Sequence, residues 1–345
     1  VLIALGEYPD VATLGGEGAG VVLATGSAVA DLVPGDRVFG LLDNGFAATA
    51  TAPREYLARV PDRWGFADAA TTPIVFLTAW YGLVRLAGLK KGDRLLITSA
   101  AGGVGLAAIQ LARHLGAEVY ATAGVAKWPV LRELGLDDAH LADSRTTAFA
   151  ATFRTATGGH GMDVVLQSAK GEFVDAGLGL LADGGRLLEM GKADLRPAAP
   201  GYLPYDLMQA GGPAIQEMLG ELLELFAAGV LTPLPRTTWD ARQAGAALRH
   251  LGQGGHVGKL ALTIPRPPDP ECVVLITGGT GVLGGLLARH LAERYGVRHL
   301  VLAGRRPAGP PAGIDADVRV AACDVADRDQ VAALLAGLDR PLTMV

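Results

Sequence analysis

Residues Asp93–Ala123 read DRLLITSAAGGVGLAAIQLARHLGAEVYATA. The stretch opens on a short apolar run, Leu95–Ile97, whose residues suit a buried strand. A glycine-rich turn follows at Ala101-Gly102-Gly103-Val104-Gly105. Leu106, Ile109, Leu111 and Leu115 then recur at helical spacing until Gly116 supplies a stop. A second apolar run covers Val119–Ala121. The order strand, tight glycine turn, helix, strand is that of a dinucleotide-binding unit. Without a Cβ, the glycines let the backbone approach a pyrophosphate, and the helix start offers free N–H groups and a positive dipole end.

Outward from this unit the alternation continues to about Leu203. A helix is predicted around Trp128–Leu134, ended by Gly135, then a buried strand at Asp163–Gln167, a helix at Phe173–Leu181 and a strand at Gly185–Met190. Alternating strands and helices predict an α/β fold with a doubly wound parallel sheet. Before it, residues 1–85 look β-rich and irregular, with turn-and-strand pieces at Gly15–Val22 and Val33–Val38. Glu17 and Asp36 there are read as fold-maintaining rather than catalytic. A helix is expected over 67–87, with Val75, Leu77, Trp80 and Leu83 as its apolar stripe. After the sheet, helices are predicted at 215–229 and from Trp239 to Leu251, and a closing strand at Gly258–Thr263.

Four prolines lie between Pro265 and Pro270, too many for a helix or a central strand, so a stiff linker is expected there. Beyond it the first pattern repeats: a strand at Val273–Ile276, the turn Thr277-Gly278-Gly279-Thr280-Gly281-Val282-Leu283-Gly284, a helix at Leu286–Tyr295 ended by Gly296, and a strand at His299–Ala303. Two dinucleotide sites on one chain narrow the function more than any single residue.

Composition bounds the rest. The chain has 345 residues, enough for two or three domains, and half are hydrophobic. A net charge of −5 offers no basic surface for nucleic acid, and no apolar run is long enough to span a membrane. Only Cys272 and Cys323 occur, so neither a disulfide framework nor a cysteine metal site is expected, and a cytoplasmic setting is the default. The chain starts without Met in the apolar Val1–Leu5 and stops at Pro341–Val345, where a strand is expected to begin. It is therefore expected to be a piece of something longer.

The cofactor type follows from the second strand of each unit. An acid at its end would bind a ribose hydroxyl and select NAD; a base favours the 2′-phosphate of NADP. The first unit has no acid in Tyr120–Val125, and Lys127 lies just beyond; the second ends Gly304-Arg305-Arg306. Both point to NADPH.

These residues carry a family resemblance. Residues 1–264 resemble the enoylreductase domain of modular polyketide synthases, a zinc-free medium-chain reductase similar to quinone oxidoreductases. The matching stretches are GGEGAGVV from Gly15, PGDRV from Pro34, VFLTAWYGL from Val75, AAGGVGLAAIQLARHLGAEVYATA from Ala100, LGLDDAH from Leu134, GEFVDA from Gly171, LLEMGKADLR from Leu187 and HVGKLALT from His256. Residues 272–345 resemble the start of the ketoreductase domain, in LITGGTGVLGG, HLVLAGRR and VRVAACDVADRDQVAALLA.

The resemblance implies a substrate-binding, GroES-like domain from 1–85 and 206–264, N-terminally incomplete, and an NADPH-binding Rossmann domain from 86–205. It implies a linker at 265–271 and the first part of a short-chain-dehydrogenase Rossmann unit at 272–345. The reaction implied is NADPH-dependent reduction of an α,β-unsaturated thioester, presented by the phosphopantetheine of an acyl carrier protein among neighbouring synthase domains, to the saturated acyl thioester. Lys192 and Asp206 match the family's acid/base pair. Gly102, Gly103, Val104 and Gly105 match the pyrophosphate turn, Lys127 and Arg145 positions near the 2′-phosphate, and Lys259 a position near the active cleft. In the second unit the cofactor positions are Gly278, Gly281, Gly284, Arg305, Arg306 and Asp324. By family pattern the chain ends before the ketoreductase's Ser, Tyr and Lys, so this unit is expected to bind cofactor without reducing a ketone.

Two departures stand out. Gln167-Ser168-Ala169 replaces the family's Asn-Ser-Leu, and Val1-Leu2 stands where some members carry a Tyr tied to α-protonation stereochemistry; Tyr8 belongs to a neighbouring motif. A free-standing quinone or alkene reductase and a non-catalytic remnant module remain open as alternatives.

Overall fold

The computed structural model describes residues 14–192, 194–265, 270–306 and 309–345. Val1, Leu2, Tyr8 and most of the Pro-rich linker lie outside the described residues. The chain forms two compact units, Val1–Ile264 and Pro265–Val345.

The first unit begins with an antiparallel sheet of β1 (Glu17–Val21), β2 (Arg37–Leu41) and β3 (Leu57–Arg59). The expected helix over 67–87 is two helices, α1 (Phe66–Ala70) and α2 (Pro73–Trp80), with a π-helical turn continuing over Tyr81–Leu86. Pro73 at the first turn of α2 separates them, because it has no N–H to continue α1 and its fixed φ suits a helix start.

Next come β4 (Arg94–Ile97), α3 (Gly103–Leu115), β5 (Glu118–Ala123), α4 (Trp128–Glu133), β6 (Leu141–Asp143), α5 (Phe149–Ala156), β7 (Met162–Gln167), α6 (Glu172–Gly179), β8 (Leu181–Glu189) and β9 (Tyr202–Pro204). The strands form one parallel sheet in the order β6-β5-β4-β7-β8-β9. Strand order therefore reverses between β4 and β7, the switch point beside which such sheets open a ligand crevice. Leu95, Leu96, Ile97, Val164, Val165 and Leu166 are fully buried, as apolar runs sandwiched by helices must be. Gly116 closes α3 at φ 77°, a conformation that costs a residue with a Cβ.

After α7 (Gly212–Ala227), the segment expected to be helical from Trp239 begins as a strand. Here β10 (Arg236–Asp240) pairs in parallel with β11 (Lys259–Thr263), Trp239 opposite Leu262. Asp240 then caps the Arg242 amide at 2.8 Å, and α8 starts only at Ala244, running to Gly252. Thr237, Thr238 and Trp239 suit a pleated surface, and a partner strand distant in sequence decided the matter.

The second unit contains β12 (Val273–Thr277), α9 (Val282–Tyr295), β13 (His299–Gly304), β14 (Asp317–Ala322), α10 (Arg328–Ala336) and β15 (Leu342–Met344), with sheet order β14-β13-β12-β15.

Candidate active site

The turn from β4 into α3 shows why glycine stands where it does. A Cβ on Gly105 would lie 2.5 Å from the Ala100 Cα, and one on Gly103 would lie 2.8 Å from side-chain atoms of Val75 and Lys259. Gly102 is the N-cap of α3, with its own N–H satisfied by the Ser99 carbonyl at 2.9 Å. The first N–H groups of α3, from Gly103, Val104 and Gly105, lack intrahelical partners, as helix starts that take a pyrophosphate do. The cradle fits a dinucleotide.

The cations expected at a 2′-phosphate follow adjacent strand ends. Lys127 lies after β5 and donates to the Gly254 carbonyl at 2.6 Å; burial pushes its ammonium below the ordinary lysine value. Arg145 follows β6, where Ser144 N–H bonds Ala123 O at the end of β5 at 3.2 Å. The Arg145 side chain is exposed, with no hydrogen bond or ion pair among the described residues. Lys259 lies beside the glycine turn instead: its ammonium meets Glu17 Oε1 at 2.5 Å while its stem packs on Gly103. Glu17 Oε2 also accepts the Ile74 N–H at 2.8 Å near the start of α2, so it ties β1, α2 and β11 together. Asp36 accepts the Val33 N–H and pairs with Arg59 at 2.5 Å. Both acids have structural partners.

Lys192 and Asp206, fourteen residues apart, form a half-buried ion pair. Lys192 follows β8 and Asp206 follows β9, both at the carboxyl end of the sheet. Burial alone would raise the Asp206 carboxyl, but the hydrogen bond from Lys192 and then the Met208 amide, at 2.8 Å on Oδ1, outweigh it and hold it below the usual carboxylate range. Asp206 therefore uses one oxygen to cap the following turn and the other to hold Lys192.

Its neighbour Tyr205 fixes it further. The Tyr205 hydroxyl donates to Thr78 O in α2 at 3.0 Å, and a Cβ on Gly82 would lie 2.5 Å from that hydroxyl. Glycine at the π-helical turn thus admits the ring that anchors the residue before Asp206. This support has no sequence signal, since Gly82 and Tyr205 are 123 positions apart. The loop from Lys192 to Asp206 is also clamped by Arg196, which meets Asp194 at 2.5 Å, Asp175 at 3.0 Å and Gly171 O at 2.8 Å.

In the second unit a Cβ on Gly284 would meet Gly279 Cα and Gly278 O, each at 2.5 Å; Gly278 has φ 65° and Gly281 caps α9. Arg305 and Arg306, after β13, are exposed with no partner among the described residues. Asp324, after β14, caps the Ala326 amide at 3.1 Å.

A switch-point sheet with this glycine turn, joined to a β-rich flank, defines the medium-chain class of dinucleotide-dependent reductases. Residues 134–262 match a family model described as zinc-binding dehydrogenase, and residues 272–345 match the KR domain. The chain is 54% identical, over its whole length, to the pikromycin polyketide synthase component PikAII of Streptomyces venezuelae, spanning 10% of that protein. It is similar to the solved CurK enoyl reductase, at 38% identity and TM-score 0.70, covering 74% of this chain and 80% of that one. Mycobacterial Rv1454c, solved with NADPH, is 28% identical with TM-score 0.68, covering 74% of this chain and 85% of that one. The chain belongs to the enoylreductases of modular polyketide synthases and runs on into a ketoreductase domain. The zinc in the family description does not fit these residues: among the described residues no group of three or more His, Cys, Asp or Glu side chains is placed to hold a metal ion, and no cysteine precedes Cys272. No helix among the described residues is long and apolar enough to cross a membrane.

Proposed function

We propose that the first unit performs the enoylreductase step of a modular polyketide synthase. It reduces an α,β-unsaturated thioester, presented on the phosphopantetheine of an acyl carrier protein among neighbouring synthase domains, to the saturated acyl thioester. The observation that carries this reading is the Lys192–Asp206 pair, set at the carboxyl end of a sheet whose switch point carries the glycine cradle. Residues 86–205 form the cofactor half, and 1–85 with 206–264 the substrate half.

NADPH, when bound, would supply a hydride for the β-carbon, leaving the negative charge of a thioester enolate at the thioester oxygen. The Lys192 Nζ–H groups stabilise the developing charge, and one of their protons ends on the α-carbon. Asp206 keeps Lys192 oriented and is itself fixed by the Met208 amide. Gly102, Gly103, Val104 and Gly105 hold the pyrophosphate, Arg145 and Lys127 the 2′-phosphate, and Lys259 braces the turn from outside. In the second unit, Gly278, Gly281, Gly284, Arg305, Arg306 and Asp324 hold a second NADPH.

Stopped-flow oxidation of NADPH with a carrier-like crotonyl thioester, set beside a quinone, tests the reading. Thioester-dependent turnover with little quinone activity is expected. Quinone turnover alone would assign a free-standing quinone reductase, and turnover with neither a non-catalytic remnant.

A further inference from the structure

Two buried polar side chains at the carboxyl end of the sheet have no part in the reaction above. Gln167 ends β7 and Glu189 ends β8, opposite one another in register. They are 0% and 2% exposed. Strand alternation puts both on the face of Val165 and Leu187, which packs with Val174 of α6. The Gln167 amide donates to Ala169 O at 2.9 Å, and Glu189 Oε1 accepts the Gly191 N–H at 2.6 Å. Gln167 Oε1 and Glu189 Oε2 have no hydrogen-bond partner among the described residues. Two buried acceptors on neighbouring strands, neither with a protein donor among the described residues, are costly unless a donor hydrogen lies between them.

Glu189 also holds both halves of the ion pair. Its carboxyl fixes Gly191, the residue before Lys192, and its backbone carbonyl accepts the N–H of Tyr205, the residue before Asp206, at 3.0 Å. The first contact is close enough that a Cβ on Gly191 would lie 2.7 Å from Glu189 Oε1.

We propose that Glu189 is a positioning residue, carried as the neutral acid with its Oε2–H donated to Gln167 Oε1, and that this bridge sets Lys192 against Asp206. The inference rests on the enoylreductase reading and deepens it. Burial pushes the Glu189 carboxyl up to about 7; the Gly191 amide opposes that, the Asp194 charge adds to it and Arg196 subtracts. Facing it are Asp194 and Arg196 on the loop, Asp175 of α6 through Arg196, and the Tyr205 phenol beyond β9, while β7 offers only the neutral Gln167. Loss of the proton places a carboxylate against the Gln167 carbonyl and releases the Gly191 side of the loop.

The test compares kcat and KM against pH for the full chain, with NADPH and a crotonyl thioester. In Glu189→Gln an N–H replaces the acid O–H and does not titrate. It should turn over within about threefold of wild type near pH 6 and keep its rate above pH 7, where wild type falls about 10-fold. Glu189→Leu should lose about 10–100-fold in kcat at every pH, the scale of a misplacement of about 1 Å, with little change in KM for NADPH. Infrared difference spectra give a readout without turnover: a carboxylic-acid C=O band that titrates near pH 7 and is missing in Glu189→Gln. Superimposable pH profiles for wild type and Glu189→Gln, or no such band near pH 6, would overturn the proposal. A wild type that turns over no thioester sinks the enoylreductase reading alone, because the infrared titration still decides where the proton is.

Discussion

Gly102 enters α3 at φ −79°, ψ 171°, and Gly281 enters α9 at φ −80°, ψ 173°. Gly116 and Gly296 close the same two helices in the left-handed region, at φ 77° and 67°. Yet α3 buries Leu106, Ala107, Ala108, Ile109, Leu111 and Ala112, whereas α9 leaves Val282 83% and Leu283 82% exposed. The two units share a turn and differ in what covers the helix that follows it. They differ in chemistry too. The first has a lysine–carboxylate pair and a buried acid at its sheet end; in the second, no Asp, Glu, Lys or Arg is buried among the described residues. Backbone geometry at such a turn is local chemistry, while burial and reactivity come from the rest of the fold.

The contrast breaks most sharply at Lys192. Lys192→Met should lower thioester turnover by about 10²–10⁴-fold and leave NADPH binding intact, reducing the first unit to a cofactor-binding turn. Asp206→Asn should lose less, and the double variant little more than Lys192→Met alone, since residues acting as one unit are not additive. Fully additive losses in stopped-flow assays would show that the two side chains act separately.

Helix burial is tested by paired truncations. Ile109→Ala should cost about 2–5 kcal/mol in chemical denaturation, because it empties a fully buried site in α3. Leu283→Ala on α9 should stay within about 0.5 kcal/mol. Equal costs would mean that the exposed face of α9 is covered in solution.

The buried acid gives the first unit a pH slope of its own. The folded chain keeps the Glu189 proton up to about 7, whereas the unfolded chain releases it near the ordinary 4.5. Its stabilising contribution is therefore complete below 4.5 and lost as pH rises to 7, at about 1.4 kcal/mol per pH unit and roughly 3 kcal/mol in all. Denaturation midpoints across this window should fall in wild type and flatten in Glu189→Gln. An unchanged slope would remove the acid from the account.

The smallest effect is expected at the phosphate cations. Arg145→Ala should weaken NADPH by about 1–3 kcal/mol in a titration and leave NADH unchanged, because the lost contact is charge-assisted and specific to the 2′-phosphate. Equal losses for both cofactors would move Arg145 away from that phosphate.

What the sequence determined by itself was local: both glycine turns, the helices stopped at Gly116, Gly135 and Gly296, the alternation of strand and helix, and the missing acid after β5. A backbone that must approach a phosphate, or adopt a positive φ, restricts residue type at that one position, so the constraint is written in neighbouring letters. Lys192 and Asp206 could be named because short motifs surround them, but nothing in those letters shows that the side chains meet. Tertiary structure alone decided that Trp239 lies in a strand, that Glu17 reaches Lys259 across 242 positions, that Gly82 makes room for Tyr205, and that Glu189 is buried opposite Gln167. In LLEMGK the acid looks like any polar residue closing a strand. Its environment is made by the neighbouring strand β7, the helix α6 and the loop clamped by Arg196, and burial of this kind is a property of packing that no local pattern encodes.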